Sequence, residues 1–246
     1  MGHAAIFLAA GSGSRMRGVV DDKLLAKIAG KPVFSYSLEA FSKVNDLDRI
    51  VVVYRDEDQR CELLACLEAL SPMPYAVEWI QGGDERQHSV FNGLEILTIA
   101  TEIVLIHDCA RPLVRTEIIE DLIMAAIRDR AAVLAHRVTD TIKQTPRRSR
   151  GRRRLDLKDM QRNRLWAMET PQAFKYETIF EAYREVRLNQ EVITDDTAAV
   201  SNRGIRVSIV ENPYPNPKIT VPQDLGYAEY LIEHPVDITD LKKLEE

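Results

Sequence analysis

The chain has 246 residues, 45% of them hydrophobic and 29% charged, and its mean hydropathy is −0.23; this balance excludes wholesale disorder and suits a chain that buries a large core. The length fits one α/β domain with a projecting piece better than two independent domains. With 33 basic against 38 acidic residues the net charge is −5, which offers no overall field to nucleic acid or to an anionic membrane.

Short apolar runs rich in β-branched residues alternate with longer stretches of helical period. The runs at 4–10 (AAIFLAA), 49–54 (RIVVVY), 76–80 (AVEWI), 102–107 (EIVLIH) and 131–136 (AAVLAH) predict strands. Between them, 33–44, 57–70, 86–97 and 116–129 carry apolar residues three and four apart and predict helices. From Val138 to Leu165 the alternation fails and the segment is dense in Arg, Lys, Asp and Gln, so an arm at about 138–165 is expected. A helix at about 175–187, a short helix begun by Thr194 or Asp195, a strand at 205–210 and a last helix from Pro222 to about Glu233 complete the chain. The expected architecture is a single α/β domain over 1–246, a Rossmann-like, doubly wound, mostly parallel sheet with a projecting arm. Ligands of such sheets bind beyond the carboxyl ends of the strands, so residues just after each strand carry most weight.

Six of the basic residues fall in Arg147–Arg154 (RRSRGRRR), leaving 27 basic against 38 acidic elsewhere. The run has no interleaved aromatic residue and reads as a solvated arm tip, with nonspecific polyanion binding as the alternative; no specific nucleic-acid partner is expected. The three cysteines, Cys61, Cys66 and Cys109, form no C-x-x-C pair and no even disulfide framework, which points to a reducing, cytoplasmic interior. The apolar run Ala4–Ala10 lacks a basic region before it and is too short for a signal peptide or a membrane span.

The first strand runs into Ala9-Ala10-Gly11-Ser12-Gly13-Ser14-Arg15-Met16, small residues that let backbone N–H groups approach an anion. It is not a P-loop, which needs Gly-Lys-Ser/Thr, and Met16 breaks the dinucleotide glycine pattern. A tight strand-to-helix turn explains the small residues equally well; Arg15 and Lys23 tilt the reading towards a polyphosphate site. Gly82 and Gly83 follow the third strand and permit close approach to a base or ribose, while Asp84 reads equally as a helix cap and Arg86 as a solvated helix residue. His107 and Asp108 end the fourth strand and point to opposite faces, so they do not form a dyad; His107 reads as a packed histidine. Asp108 is the metal candidate, because Mg²⁺ is usually held by one or two carboxylates together with substrate phosphates, and a turn-stabilising Asp is the alternative.

The strings LAAGSGSRM, GGDERQHSV, HDCARP, TDTIK, TPQAF, TDD and NPKIT, with Lys23 ahead of IAGKPV, occur in this order over about residues 4–230. The chain resembles the nucleotidyltransferases that activate sugar and polyol phosphates, and within them the 2-C-methyl-D-erythritol 4-phosphate cytidylyltransferase family. The resemblance implies transfer of a cytidylyl group from CTP with Mg²⁺, and catalytic roles for Arg15, Lys23, Arg162 and Lys218. It assigns the nucleotide to Ala9, Ala10, Gly11, Gly13, Gly83, Asp84 and Ser89. The acceptor polyol phosphate falls to Asp108, Arg111, Thr141, Arg162, Thr194 and Lys218, and Asp108 takes the metal as well. It also implies a homodimer in which the arm carries Thr141 and Arg162 into a second subunit's site. Read without the family, Thr194 is a helix N-cap and Arg162 and Lys218 are exposed charges.

Three positions depart from the family pattern: Asp22-Lys23-Leu24 stands where the family has Pro-Lys-Gln, and Pro217 stands where an aliphatic residue usually precedes the lysine. Arg164 adjoins Arg162 and is a second candidate for its role. The rival functional readings are a ribitol 5-phosphate cytidylyltransferase and a catalytically silent nucleotide-binding protein.

Overall fold

The computed structural model describes residues 2–11, 13–16, 18, 20–146 and 155–236; the Arg147–Arg154 run lies outside these residues. The main sheet begins with β1 (Gly2–Leu8), whose run of small and apolar residues is buried on both faces. Neighbouring side chains of β1 face opposite layers. Ala5 and Phe7 pack with α1 (Val33–Phe41), α2 (Glu57–Glu68) and α4 (Thr116–Asp129), where Phe7 meets Phe41 edge-on at 4.8 Å between ring centroids. Ala4 and Ile6 pack with α3 (Arg86–Glu95), α5 (Tyr176–Leu188) and α6 (Asp196–Ser201). A Cβ at Gly93 would come within 2.8 Å of the Ile6 side chain, so the missing side chain is what lets α3 lie close to the sheet.

In chain order the remaining strands are β2 (Lys27–Ile28), β3 (Lys31–Pro32), β4 (Leu47–Tyr54), β5 (Ala76–Gln81), β6 (Thr101–Asp108), β7 (Ala131–Arg137), β8 (Lys143–Gln144), β9 (Lys158–Asp159), β10 (Trp166–Lys175) and β11 (Ser208–Glu211). The seven-stranded sheet has the order β11-β7-β10-β6-β1-β4-β5. Every pairing in it is parallel except those of β10, which runs antiparallel to both β6 and β7. β2 pairs with β3 and β8 with β9 in separate two-stranded ladders, and α7 (Gln223–Glu233) ends the described chain's regular structure. The segment expected as an arm therefore contains the β8–β9 ladder, most of whose surroundings are exposed.

The mostly parallel, doubly wound α/β sheet agrees with the sequence reading, with one correction. β10 has no counterpart among the expected strands. Its sequence, WAMETPQAFK, interrupts any apolar alternation with Glu169, Thr170, Pro171 and Gln172. The ladder to β7 breaks between Met168 and Gln172, where Pro171 has no N–H to donate. The polar side chains at this break are nevertheless buried.

Candidate active site

The carboxyl ends of β1, β5 and β6 open onto one cavity of about 280 Å³, lined by the Leu8–Gly11 turn, Lys23–Leu24, the Gly83–Arg86 turn with Ser89, and Asp108, Ala110 and Lys218. Its floor follows from how the strands end. The amide of Ala9 still donates to the Val53 carbonyl at 2.9 Å, so the chain leaves the sheet only at Ala10. At Gly13 the backbone is left-handed, φ +57°, and the Met16 amide turns back onto its carbonyl at 2.7 Å; an L side chain there is strained. The second wall forms where the amide of Gly82 donates to the Tyr54 carbonyl at 2.7 Å. A Cβ on Gly82 would come within 2.6 Å of the Ala10 Cβ. Gly82 therefore serves the approach of two protein loops, where the sequence suggested approach to a ligand. The Ser89 hydroxyl accepts the Gly83 amide at 3.1 Å and fixes that turn.

Lys23 reaches the cavity on a loop whose anchor is the neighbouring acid. The buried Asp22 carboxylate accepts from the Leu24 amide (2.9 Å), Gln59 Nε2 (2.6 Å) and Arg55 Nη1 (3.0 Å). Gln59 also donates to the Ala9 carbonyl at 3.1 Å. The charge that stood beside a proposed cation is thus satisfied by Arg55 and Gln59, and it ties the Lys23 loop to the first turn. Lys23 Nζ donates to the Ile219 carbonyl at 3.2 Å. Burial, and then the positive charge of Lys218, push its pKa below the usual lysine value.

Opposite Lys23, Lys218 Nζ meets Asp108 Oδ2 at 2.5 Å, and Arg86 Nε approaches Asp108 Oδ1 at 3.3 Å. Burial alone would raise the Asp108 pKa, yet the charges of Arg86 and Lys218 hold it well below the usual carboxylate range. Arg86 grips Asp196 through two bonds of 2.8 and 2.7 Å. Tyr183 donates its hydroxyl to the same carboxylate at 2.5 Å. Arg86 is therefore an ion-paired wall of the site, not a solvated helix residue. Asp84 does not cap α3, whose cap position is Glu85 without a side-chain bond. Nor does Thr194 cap α6: Asp195 does so, accepting the Ala198 amide at 3.0 Å.

His107 is fully buried, with Nε2 3.1 Å from Ser37 Oγ and Nδ1 3.4 Å from Thr170 Oγ1. Burial pushes its pKa down to about 3, so it is a neutral packed ring. Arg111 donates Nη1 to the Asn216 backbone carbonyl at 2.7 Å and Nη2 to that of Met168 at 3.4 Å, while its buried Nε has no partner among the described residues. It lines an adjoining cavity of about 660 Å³ with His136, Glu169, Asn216 and Lys218, so Lys218 stands on the border between the two spaces. Arg15 is exposed in a single turn, Ser14–Met16, and Thr141, Arg162 and Thr194 are also exposed; none of the four lines either cavity. Arg162 Nη1 donates to the Thr139 carbonyl at 2.8 Å. Among the described residues no group of three His, Cys, Asp or Glu side chains gathers to hold a metal, and no helix is long and apolar enough to cross a membrane.

Asp22, Gln59, Arg86, Asp196 and Glu169 carry much of this geometry and had no site role in the sequence reading. The strings holding Arg86 (GGDERQHSV) and Asp196 (TDD) were visible, but the two partners lie 110 residues apart, a distance that local patterning does not bridge.

The arrangement of cations on the glycine turn coincides with similarity to known proteins. A family model described as IspD, 2-C-methyl-D-erythritol 4-phosphate cytidylyltransferase, matches residues 3–234. The protein so named from Caldanaerobacter subterraneus subsp. tengcongensis is 39% identical over 233 residues, covering 94% of this chain and 99% of its own. That from Geobacillus kaustophilus is 38% identical, covering 94% and 97%. Among solved structures, 4-diphosphocytidyl-2C-methyl-D-erythritol synthase from Anaerococcus prevotii superposes with a TM-score of 0.80 at 27% identity, over 94% of this chain and 96% of that one. The Francisella tularensis 2-C-methyl-D-erythritol 4-phosphate cytidylyltransferase does so with 0.74 at 26%, over 94% and 99%. Similarity that spans the sheet, both lysine loops and the Arg86 turn places the chain in the 2-C-methyl-D-erythritol 4-phosphate cytidylyltransferase family.

Proposed function

We propose that this chain transfers the cytidylyl group of CTP to 2-C-methyl-D-erythritol 4-phosphate, forming the CDP-alcohol and pyrophosphate. The observation that carries the reading is the convergence of Lys23 and Lys218 on the Ala9–Gly11 turn across one cavity, with Arg86 behind them.

A phosphate monoester is already ionised near neutral pH, its second pKa being about 6, so it needs no general base to act as nucleophile. Its difficulty is electrostatic, since an anion must approach the α-phosphorus of a triphosphate while pyrophosphate leaves in line. Cations and backbone donors held in place before reaction meet that need. Lys23, half-buried beside the first turn, stabilises charge on the triphosphate, and Arg15, which flanks that turn, adds to the field that Lys23 already feels. Ala9, Ala10, Gly11 and Gly13 present the turn; Gly83, Asp84 and Ser89 form the cytidine side. The adjoining cavity, with Arg111 and Lys218, takes the acceptor. Asp108 is the residue that would hold a Mg²⁺ ion: its carboxylate faces the cavity, and Lys218 and Arg86, which pair with its two oxygens here, would yield one of them to the ion. A single protein carboxylate suits an ion that takes most of its ligands from phosphates and water. An ion held there would supply positive charge against the phosphates.

Thr141, Arg162 and Thr194 remain acceptor-phosphate residues in this reading, Thr194 from the loop before α6 and the other two by assembly. The 138–165 segment acts as an arm of a single domain and carries Thr141 and Arg162 to a partner's acceptor cavity in a homodimer. Their exposure on the β8–β9 side of the chain supports this. The three free cysteines, with Cys61 exposed, suit a reducing cytoplasm.

Pyrophosphate release tests the reading. With CTP and 2-C-methyl-D-erythritol 4-phosphate it is expected to exceed release with ribitol 5-phosphate at least tenfold. The reverse preference would transfer the reading to the ribitol enzyme, and no release with either would leave only nucleotide binding.

A further inference from the structure

We propose that Glu169 is a positioning residue for the acceptor side, holding the Asn212–Lys218 segment so that Lys218 stands on the border of the two cavities. The inference rests on the acceptor assignment made above.

The segment needs an external hold. In Asn212-Pro-Tyr-Pro-Asn-Pro-Lys every second residue from 213 to 217 is proline, so three of its five interior amides are missing and no strand ladder can form there. Backbone bonds secure only its flanks, Asn212 N to the Ala135 carbonyl at 2.9 Å and Ile219 N to the Ala110 carbonyl at 2.7 Å. Between them the Glu169 carboxylate accepts from Asn212 Nδ2 at 2.9 Å and from Asn216 Nδ2 at 2.8 Å. Asn216 Nδ2 also donates to the Thr170 carbonyl at 3.2 Å. Both of its partners are acceptors, which fixes the orientation of that amide. The Asn216 carbonyl in turn receives Arg111 Nη1 at 2.7 Å, and two residues on, Lys218 reaches Asp108.

Glu169 itself cannot drift. Its side chain is 1% exposed, and its second oxygen lies 2.5 Å from His136 Nδ1. It stands in the break of the β10–β7 ladder, so neighbouring strands fix its backbone while the side chain points into the acceptor cavity wall. A buried carboxylate is costly unless hydrogen-bonded, and among the described residues its side-chain partners, His136 apart, belong to the Asn212–Lys218 segment. Glu169 touches no reacting atom and acts through Asn216 and Lys218.

The test compares Glu169→Ala, Glu169→Gln and Asn216→Ala. In steady-state pyrophosphate release, Glu169→Ala and Asn216→Ala are expected to raise KM for 2-C-methyl-D-erythritol 4-phosphate at least tenfold and KM for CTP less than threefold. Glu169→Gln recovers most of the loss, because its amide oxygen still accepts from both asparagines and its side chain keeps the same length and place beside the His136 ring. An unchanged acceptor KM in both truncations overturns the proposal, as does equal damage in the Gln and Ala variants. Amide hydrogen exchange across 212–220 reads the same claim without turnover: exchange is expected to quicken at least tenfold in Asn216→Ala and in Glu169→Ala, and to stay near the parent rate in Glu169→Gln. Unaltered exchange in both truncations overturns the positioning role whatever the chain catalyses. An inactive parent enzyme with quickened exchange overturns the assigned reaction and keeps the hold on the segment.

Discussion

Lys23 shows how one side chain acquires a task from its neighbours. A lysine on a surface loop is a hydrated point charge, but this one is partly desolvated and faces a second lysine, so its positive charge is held at a cost that a bound triphosphate would relieve. Asp22 does not cancel that charge, because its oxygens are taken by Arg55, Gln59 and the Leu24 amide. Lys23→Ala is therefore expected to lower kcat by about 10²-fold or more with a modest change in KM for CTP, the pattern of a group acting mainly in the transition state. Steady-state pyrophosphate release checks this, and a kcat within threefold of the parent would remove Lys23 from that role. The candidacy of Lys23 was legible from its place after a small-residue turn. The reason it tolerates an acid beside it was not, since Gln59 lies 37 residues from Asp22.

At the scale of elements, β10 organises the site although no apolar pattern announces it. Glu169 holds the proline-rich segment. Thr170 Oγ1 accepts the Asp108 amide at 3.0 Å, and Gln172 holds the start of α6 by accepting the Thr197 amide at 3.1 Å and donating to Asp195 at 3.1 Å. A strand whose polar side chains are each spent on a different neighbour cannot show the alternation by which half-buried strands are read. The helices were easier, because α4 matches its expected span and α3 and α5 differ by a residue or two at their ends. The clasp between α3 and α6 depends on a full charge pair, with Asp196 wholly buried. Arg86→Leu leaves that carboxylate without its cation and is expected to destabilise the fold by roughly 3 kcal/mol or more. Arg86→Lys restores only part of this, for want of the second bond. Denaturant unfolding of the two variants measures both, and a loss below about 1 kcal/mol for Arg86→Leu would show that the clasp is dispensable.

For the molecule as a whole, the sheet order sets the strand ends β6, β1, β4 and β5 side by side, and the candidate active-site cavity occupies their carboxyl edge, as parallel α/β sheets favour. The proposed arm lies outside this logic. Arg162 and Thr141 line neither cavity of their own chain, so a role in the acceptor site requires another copy. Mixing Lys23→Ala protein, nearly inactive alone, with Arg162→Ala protein, expected mainly to raise KM for the polyol phosphate, is expected to restore activity at low acceptor concentration through mixed dimers in which one site has both native side chains. No recovery after subunit exchange would assign Arg162 to some other task, or its proposed role to Arg164.

The sequence alone determined the alternation of strands and helices, the glycine turn after β1 and the lysines offered to an anion, because these depend on periodicity and on residue types within a few positions of one another. Tertiary structure decided which charges are free and which are consumed: Asp22 by Arg55 and Gln59, and Asp196 by Arg86. The physical reason is that an ionised group's role is set by the partners that replace its water, and in this chain those partners arrive from strands and loops far away along the sequence.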